Sequence, residues 1–142
     1  MIFTNHYRFH DLGLLLLRIG LGVMFMIHGF PKLAGGPPAW AGVGGVMDTV
    51  GLGFAPAFWG FLAALAEFGG GLLLVLGLWF RPACLGLLIT MIMATVMHLS
   101  KGDGFDGYSH ALESAFVFLG LLLAGPGRFS LDERLHGSRL RR

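Results

Sequence analysis

Seven ionisable side chains stand within or at the ends of long apolar segments of this chain. They are Arg18, His28, Lys32, Glu67, His98, His110 and Glu113. A charge at the centre of a membrane costs at least about 2.5–3.5 kcal/mol, so such residues normally face protein or water. Histidine, lysine and carboxylate groups can exchange protons and hold polar ligand atoms. We therefore expect these side chains to meet partners inside a helical bundle, where that chemistry becomes available.

The first apolar segment carries nearly all of its polarity on one narrow helical face. A helix turns about 100° per residue, so four residues fall within roughly 40° of Arg18. They are Gly22, Phe25, Gly29 and Lys32. His28 lies roughly 80° to one side of the same face. Another part of the chain must cover this face.

The composition is that of a membrane protein. Of 142 residues, 55% are hydrophobic and only 13% are charged, whereas a soluble domain has about 25% charged residues. The apolar blocks predict four transmembrane helices, at about 12–33, 56–80, 83–100 and 110–124. We expect one all-α membrane domain, a four-helix bundle. A net charge of +2 is too small to indicate a nucleic-acid partner.

The longest connection, 34–55, is rich in glycine and proline. Trp40 begins a helical spacing of apolar residues there. An interfacial helix at about 39–50 and a mobile glycine-rich loop are both compatible with this pattern. Arg81 and Pro82 are expected to form the turn between spans two and three.

Four spans place both termini on the same side of the membrane. Seven arginines fall on that side: Arg8, Arg81, Arg128, Arg134, Arg139, Arg141 and Arg142. The opposite side holds only Lys32 and Lys101. By the positive-inside rule, the N- and C-termini are predicted to be cytoplasmic, and the protein to be a multi-pass protein of the inner (plasma) membrane. In the basic tail, 128–142, Ser130 and Glu133 have the spacing of a helix capping box.

Helix rise predicts that Arg18 and Glu67 form an ion pair. At 1.5 Å per residue, Arg18 lies roughly 9 Å from the cytoplasmic end of span one and Glu67 roughly 16 Å from the outer end of span two. In a core about 30 Å thick, the two come within one turn of the same level. We interpret the pair as structural, because a buried ion pair is no evidence of chemistry. The alternative is that each side chain snorkels or binds backbone carbonyls by itself.

A second group of ionisable side chains is expected at the outer mouth of the bundle. Its members are His28, Lys32, His98, His110 and Glu113. They predict either a ligand-binding pocket or an ordinary interfacial belt that reaches the headgroups. The histidines with Glu113 would also suit a metal ion, but no dense metal-binding motif is present, and histidines this shallow do not suit a midplane haem. We expect no metal and no covalently bound cofactor.

With these residues in place, the chain resembles the DoxX family of small four-span membrane proteins of bacteria and archaea. The resemblance covers roughly residues 12–132. In chain order its elements are Arg18, Gly22, Phe25, His28-Gly29, Lys32-Leu33, Glu67, Gly70-Gly71, Gly77, Arg81, Glu113 and the run from Gly125 to Asp132. The family takes its name from a subunit associated with archaeal quinol oxidase and thiosulfate:quinone oxidoreductase, so the resemblance implies a quinone-linked redox setting. It implies no catalysis, because the family has no agreed catalytic motif.

Two functions follow as hypotheses. The first is a redox-associated subunit that binds a quinone or similar lipid-soluble molecule at the outer pocket and receives electrons from a larger redox complex. His28, His98 or His110, together with Glu113, would supply a hydrogen-bond donor and a proton-exchanging group. The second is non-enzymatic: a small transporter or channel, functioning as a homo-oligomer, or an assembly subunit of a larger membrane complex. Membrane lipid is an expected partner in both.

Overall fold

Long apolar helices make up most of the chain. The computed structural model describes residues 9–136, and within that range it contains helices and no strand. In chain order the elements are α1 (His10–Ala34), α2 (Gly36–Gly44), a 3₁₀ helix (Gly45–Val50), α3 (Pro56–Leu76), α4 (Phe80–Ser100), α5 (Phe105–Ala124) and α6 (Leu131–His136).

Four of these helices, α1, α3, α4 and α5, are long and apolar enough to cross a membrane. The predicted all-α fold with four transmembrane helices is thereby confirmed. The side of the membrane on which the termini lie stays a prediction from the charge distribution.

The four long helices pack in chain order. α1 packs against α3, α3 against α4, and α4 against α5. The backbone N–H of Arg128 donates to the Asp11 carboxylate at 3.0 Å, which brings the segment after α5 to the start of α1. We call this end of the bundle, where 125–136 lies, the terminal end. The opposite end, which carries the 101–104 turn, is the loop end.

Glycines set the contact between α1 and α3. A Cβ added at Gly22 would lie 2.6 Å from the carbonyl oxygen of Gly71, and one added at Gly29 would lie 2.9 Å from Cβ of Glu67. No real Cβ fits at such distances, so only glycine permits this approach. Because Gly29 follows Gly22 whereas Glu67 precedes Gly71, the two helices run antiparallel in a register that these contacts fix.

α2 packs along α3 beyond the end of α1. There is no space for a Cβ at Gly60, which meets the Trp40 carbonyl, or at Gly44, which meets the Pro56 carbonyl. Trp40 precedes Gly44 in α2, whereas their partner Gly60 follows Pro56 in α3. The two helices are therefore antiparallel, and α2 covers the first turns of α3. The segment expected at about 39–50 is the second half of α2 followed by the 3₁₀ helix.

An apolar cluster fills the centre of the bundle. Phe25 of α1 and Phe118 of α5 meet edge to face, with ring centroids 4.8 Å apart. The other buried members are Leu74, Phe80, Cys84, Leu87, Met91, Ala115 and Leu121. Since Phe25 lies between Arg18 and Lys32 along α1, the cluster separates these two charges.

The turn between α3 and α4 differs from the prediction. α3 ends four residues before the predicted end of span two, and Gly77 caps it with a φ of 62°. Trp79 completes the turn with a φ of 46°, whereas Arg81 and Pro82 belong to the first turn of α4. Proline is tolerated there because the first N–H groups of a helix have no intrahelical acceptor.

The fourth span also begins earlier than predicted. α5 starts at Phe105, five residues before the expected start. Asp106 lies in its first turn, where a negative charge complements the helix dipole. His110 and Glu113 therefore lie in the second and third turns of α5 and not at its start.

Candidate functional site: a lysine–glutamate pair within the bundle

Lys32 and Glu67 form the main polar contact between α1 and α3. The Lys32 ammonium donates to both carboxylate oxygens of Glu67, with Nζ 2.7 Å from Oε1 and 2.7 Å from Oε2. The side chain of Glu67 is 3% exposed and that of Lys32 is 39% exposed. The carboxylate is thus buried, while the ammonium-bearing side chain reaches the surface of the protein.

Glu67 lies near the middle of α3, whereas Lys32 lies in the last turn of α1. Glu67 follows Pro56, the first residue of α3, by eleven residues, which is about 16 Å along the axis. Gly29 meets Glu67 and Phe68 in the α1–α3 contact, so Lys32, one turn further along α1, lies opposite Glu67. Lys32, which was expected at the outer mouth, lies in the last turn of α1 and is held by this contact. Charges at this depth are normally paired, as these are.

Trp40 of α2 is attached to the turn of α1 that carries Lys32. Its indole Nε1–H donates to the carbonyl oxygens of Lys32, at 3.0 Å, and Leu33, at 3.3 Å. These carbonyls belong to the last turn of a helix, where intrahelical donors run out. The Trp40 ring also packs on Phe61 of α3, with centroids 4.9 Å apart. Trp40 therefore holds α2 against both helices that supply the ion pair.

Arg18 lies on the other side of the apolar cluster, at the terminal end. It is 1% exposed, and its guanidinium donates to the carbonyl oxygens of Pro126, at 2.6 Å, and Phe129, at 2.8 Å. The predicted Arg18–Glu67 ion pair is therefore wrong, because Glu67 pairs with Lys32, about 21 Å further along α1. Depth counted from the ends of the spans was misleading, since glycine contacts fix the register of α1 on α3.

The segment after α5 folds back over the terminal end. The Asp132 carboxylate accepts from the backbone N–H groups of Trp79, at 3.0 Å, and Phe80, at 2.9 Å, at the start of α4. The Ser130 hydroxyl accepts from the Glu133 N–H at 3.2 Å, which is the bond that a capping box supplies. Together with the Arg18 bonds, these contacts fasten 125–136 to the bundle.

The structure brings together two of the three histidines that the sequence placed at one mouth. The rings of His28 on α1 and His110 on α5 have centroids 6.5 Å apart. Nδ1 of His28 lies 2.9 Å from the carbonyl oxygen of Met24. Both histidines are exposed, and they lie on the two helices that meet at the Phe25–Phe118 contact.

The other expected members have separate positions. His98 pairs with Asp103 just beyond the end of α4, with Nδ1 2.6 Å from Oδ2. Glu113 is exposed on α5. Within residues 9–136, no three His, Cys, Asp or Glu side chains are arranged to hold a metal ion.

Two partners were missed at the sequence level. Asp103 follows His98 by five residues, a local spacing around a helix end that could have suggested their contact. Trp40 was interpreted only as the start of a helical spacing of apolar residues, and these surroundings gave no signal for the bond to the end of α1. The Glu67 partner could have been found by aligning the glycines of α1 with Gly70-Gly71 of α3.

The Lys32–Glu67 pair can bind a polar ligand atom and exchange protons. An ammonium group has three N–H donors, and two of them suffice for the two carboxylate oxygens. The Lys32 ammonium therefore has a third donor for a carbonyl or other oxygen acceptor. Ionisable groups within transmembrane segments commonly mark ligand sites or proton relays.

The fold and this site define a four-span α-helical membrane protein with a charged pair inside its bundle. A family model described as DoxX matches residues 13–99, and the chain belongs to the DoxX family.

Curated relatives match over nearly the whole chain. Inner membrane protein YqjF of Escherichia coli (strain K12) is 30% identical over 91% of this chain and 96% of its own length. Inner membrane protein YphA of the same organism is 31% identical over 92% and 99%, respectively. Uncharacterized membrane protein Rv3486 of Mycobacterium tuberculosis is 34% identical over 84% and 78%. No solved structure matches the chain. Four membrane-spanning helices and these relatives make the chain a multi-pass inner membrane protein.

Proposed function

We propose that this protein is a redox-associated membrane subunit that binds a quinone or similar lipid-soluble molecule at the Lys32–Glu67 pair. The observation that carries the proposal is a buried carboxylate held by a partly exposed ammonium, midway along a transmembrane helix. A lipid-soluble ligand reaches such a depth from the bilayer. The redox setting is the one that the family resemblance implies.

The chemistry of a quinone suits the two groups. Its carbonyl oxygen is an acceptor for the free N–H of Lys32. Reduction to the quinol takes up two electrons and two protons, one proton on each carbonyl oxygen. A partner complex supplies the electrons, Lys32 gives a proton to the oxygen that it binds and is reprotonated from the loop end, and the second oxygen takes its proton from water. The aromatic side chains of Phe30 and Phe68, with ring centroids 6.0 Å apart, provide an apolar surface between the same two helices.

His28 and His110 take a secondary role in this proposal. His28 precedes Lys32 by one turn of α1 and faces His110 across 6.5 Å. Histidine changes its charge more readily near neutral pH than any other side chain. The two rings would connect the buried pair with protons at the loop end. His98 has no part, since its ring is engaged by Asp103.

Binding of a short-chain quinone analogue to the purified protein tests the proposal. We expect saturable binding to the wild-type protein, at least about tenfold weaker binding to Glu67→Gln, which corresponds to about 1.4 kcal/mol, and unchanged binding to the control His98→Ala. No saturable binding to the wild-type protein would overturn the proposal. Solute flux in liposomes that is lost in Glu67→Gln, without quinone binding, would favour a transporter instead.

A further inference from the structure

An open cleft at the terminal end lies outside the site described above. Its volume is about 660 Å³, within the roughly 300–1,000 Å³ that small-molecule sites occupy. It lies between the start of α4 and the segment after α5, and its lining includes Trp79, Arg81, Pro82, Pro126, Asp132 and Glu133. We call it the terminal cleft.

The terminal cleft presents charges of both signs. Arg81 and Glu133 are exposed there, and neither has an ion-pair partner among the residues that the structure describes. Asp132 adds a second carboxylate, which already accepts two backbone N–H groups. Among the described residues, a purely anionic ligand would meet one cation and two carboxylates. A ligand with a phosphate and an ammonium group complements both Arg81 and Glu133.

The surroundings of the terminal cleft suit a lipid. Trp79 is 67% exposed at its edge, and tryptophan is enriched where proteins meet headgroups. Leu85, Ile89 and Ile92 follow Arg81 at spacings that keep them on one face of α4, and they are 48%, 54% and 47% exposed. An acyl chain can therefore lie along α4 directly below the Arg81 guanidinium.

Trp79 also has a backbone conformation that requires support. Its φ of 46° is left-handed, which is unfavourable for a bulky residue. The Asp132 carboxylate stabilises this turn by accepting its N–H at 3.0 Å. The contact holds Trp79 outward, at the edge of the terminal cleft.

We infer that the terminal cleft binds the headgroup of an aminophospholipid. Its phosphate contacts Arg81, its ammonium contacts Glu133, and an acyl chain follows the face formed by Leu85, Ile89 and Ile92. This site is separated from the Lys32–Glu67 pair by the apolar cluster and does not depend on the proposed quinone function.

Lipid titration tests the inference directly. Delipidated protein in detergent is titrated with short-chain phosphatidylethanolamine or phosphatidylglycerol, and bound lipid is counted by native mass spectrometry. We expect one saturable phosphatidylethanolamine, bound at least tenfold more tightly than phosphatidylglycerol. Arg81→Gln should weaken binding of both lipids at least tenfold, and Glu133→Gln should abolish the preference between them.

The controls separate this site from general charge and from a soluble ligand. Arg128→Gln changes an exposed arginine of the same end that does not line the terminal cleft, and binding should be unchanged. Glycerophosphoethanolamine, which lacks acyl chains, should bind at least tenfold more weakly than the lipid. Three results would each overturn the inference. They are equal affinity for the two lipids, an equal loss of lipid affinity in the Arg81 and Arg128 variants, and binding of glycerophosphoethanolamine as tight as that of the lipid. Thermal unfolding of each variant confirms that the exposed substitutions leave the fold intact.

Discussion

Lys32 of α1 lies opposite Glu67 of α3, with its ammonium nitrogen 2.7 Å from each carboxylate oxygen. Gly29, one turn away from Lys32, permits this contact because its missing side chain lets the α3 backbone approach. Arg18, on the same face of α1, is used at the other end of the bundle to hold the carbonyls of Pro126 and Phe129. The two cations of this face therefore bind different parts of the molecule: Lys32 binds α3, and Arg18 binds the segment after α5.

Removal of the lysine should destabilise the protein more than removal of the glutamate charge. Lys32→Met leaves the buried Glu67 carboxylate without a partner, and breaking a buried pair in this way costs about 3–5 kcal/mol. Glu67→Gln leaves a partly exposed lysine that can extend towards polar surroundings. Thermal unfolding in detergent measures both. The control Lys101→Met, at an exposed position, should match the wild-type protein, and a greater loss for Glu67→Gln would contradict the burial of the carboxylate.

Two alanine substitutions in α1 should have opposite effects. Gly29→Ala adds a methyl group that meets the α3 backbone and Cβ of Glu67, so α1 must move away from α3 and stability should fall. Gly20→Ala adds the same group where no atom lies within 4 Å, and it should leave stability unchanged or raise it by up to about 1 kcal/mol through helix propensity. Melting temperatures in one detergent compare the two. Equal melting temperatures would rule out the close α1–α3 contact.

Arg18→Met should loosen the C-terminal segment while leaving the loop end intact. The substitution removes two hydrogen bonds from a charged donor, each worth about 1.5–3 kcal/mol, and frees the carbonyls of Pro126 and Phe129. Hydrogen–deuterium exchange should therefore increase across 125–136. Arg128→Met, at an exposed side chain, is the matched control and should not change the exchange. Protection of 125–136 that persists without Arg18 would show that other contacts hold the segment.

Membrane orientation can be measured with introduced cysteines. The native Cys84 is fully buried, so it should not react with a membrane-impermeant thiol reagent. Lys101→Cys, in the loop-end turn, should be labelled on intact spheroplasts, because the charge distribution predicts an external loop end. Arg134→Cys should be labelled only after the membrane is opened. The reverse pattern would contradict the predicted cytoplasmic termini.

Sequence patterns predicted the spans more successfully than the contacts between them. Apolar block length identifies helices such as α4 regardless of their neighbours. The start of α4, however, depends on Asp132, which lies 52 residues after Phe80 and accepts its N–H. No local pattern around Arg81 and Pro82 contains that information, so the turn was placed too late.

The partners of the charged residues required the helix register. Lys32 was expected at the outer mouth of the bundle because span one was predicted to end at residue 33, one residue after it. In the structure α2 continues along α3 beyond α1, so the partly exposed Lys32 lies beside the middle of α3 although it belongs to the last turn of α1. A shift of the register by about four turns separates the predicted Arg18–Glu67 pair from the observed Lys32–Glu67 pair. The composition of the spans does not determine the register of α1 on α3, whereas the close contacts at the glycines do.

The Lys32–Glu67 pair is, in our proposal, a ligand site as well as a structural ion pair. The double variant Lys32→Met/Glu67→Met tests it, because replacing both members of a buried ion pair by apolar residues of similar volume is often neutral or stabilising by about 1–4 kcal/mol. We expect a folded protein that has a melting temperature close to or above that of the wild-type protein and no longer binds the quinone analogue saturably. Wild-type affinity for the quinone analogue in this folded double variant would show that the pair is not the ligand site.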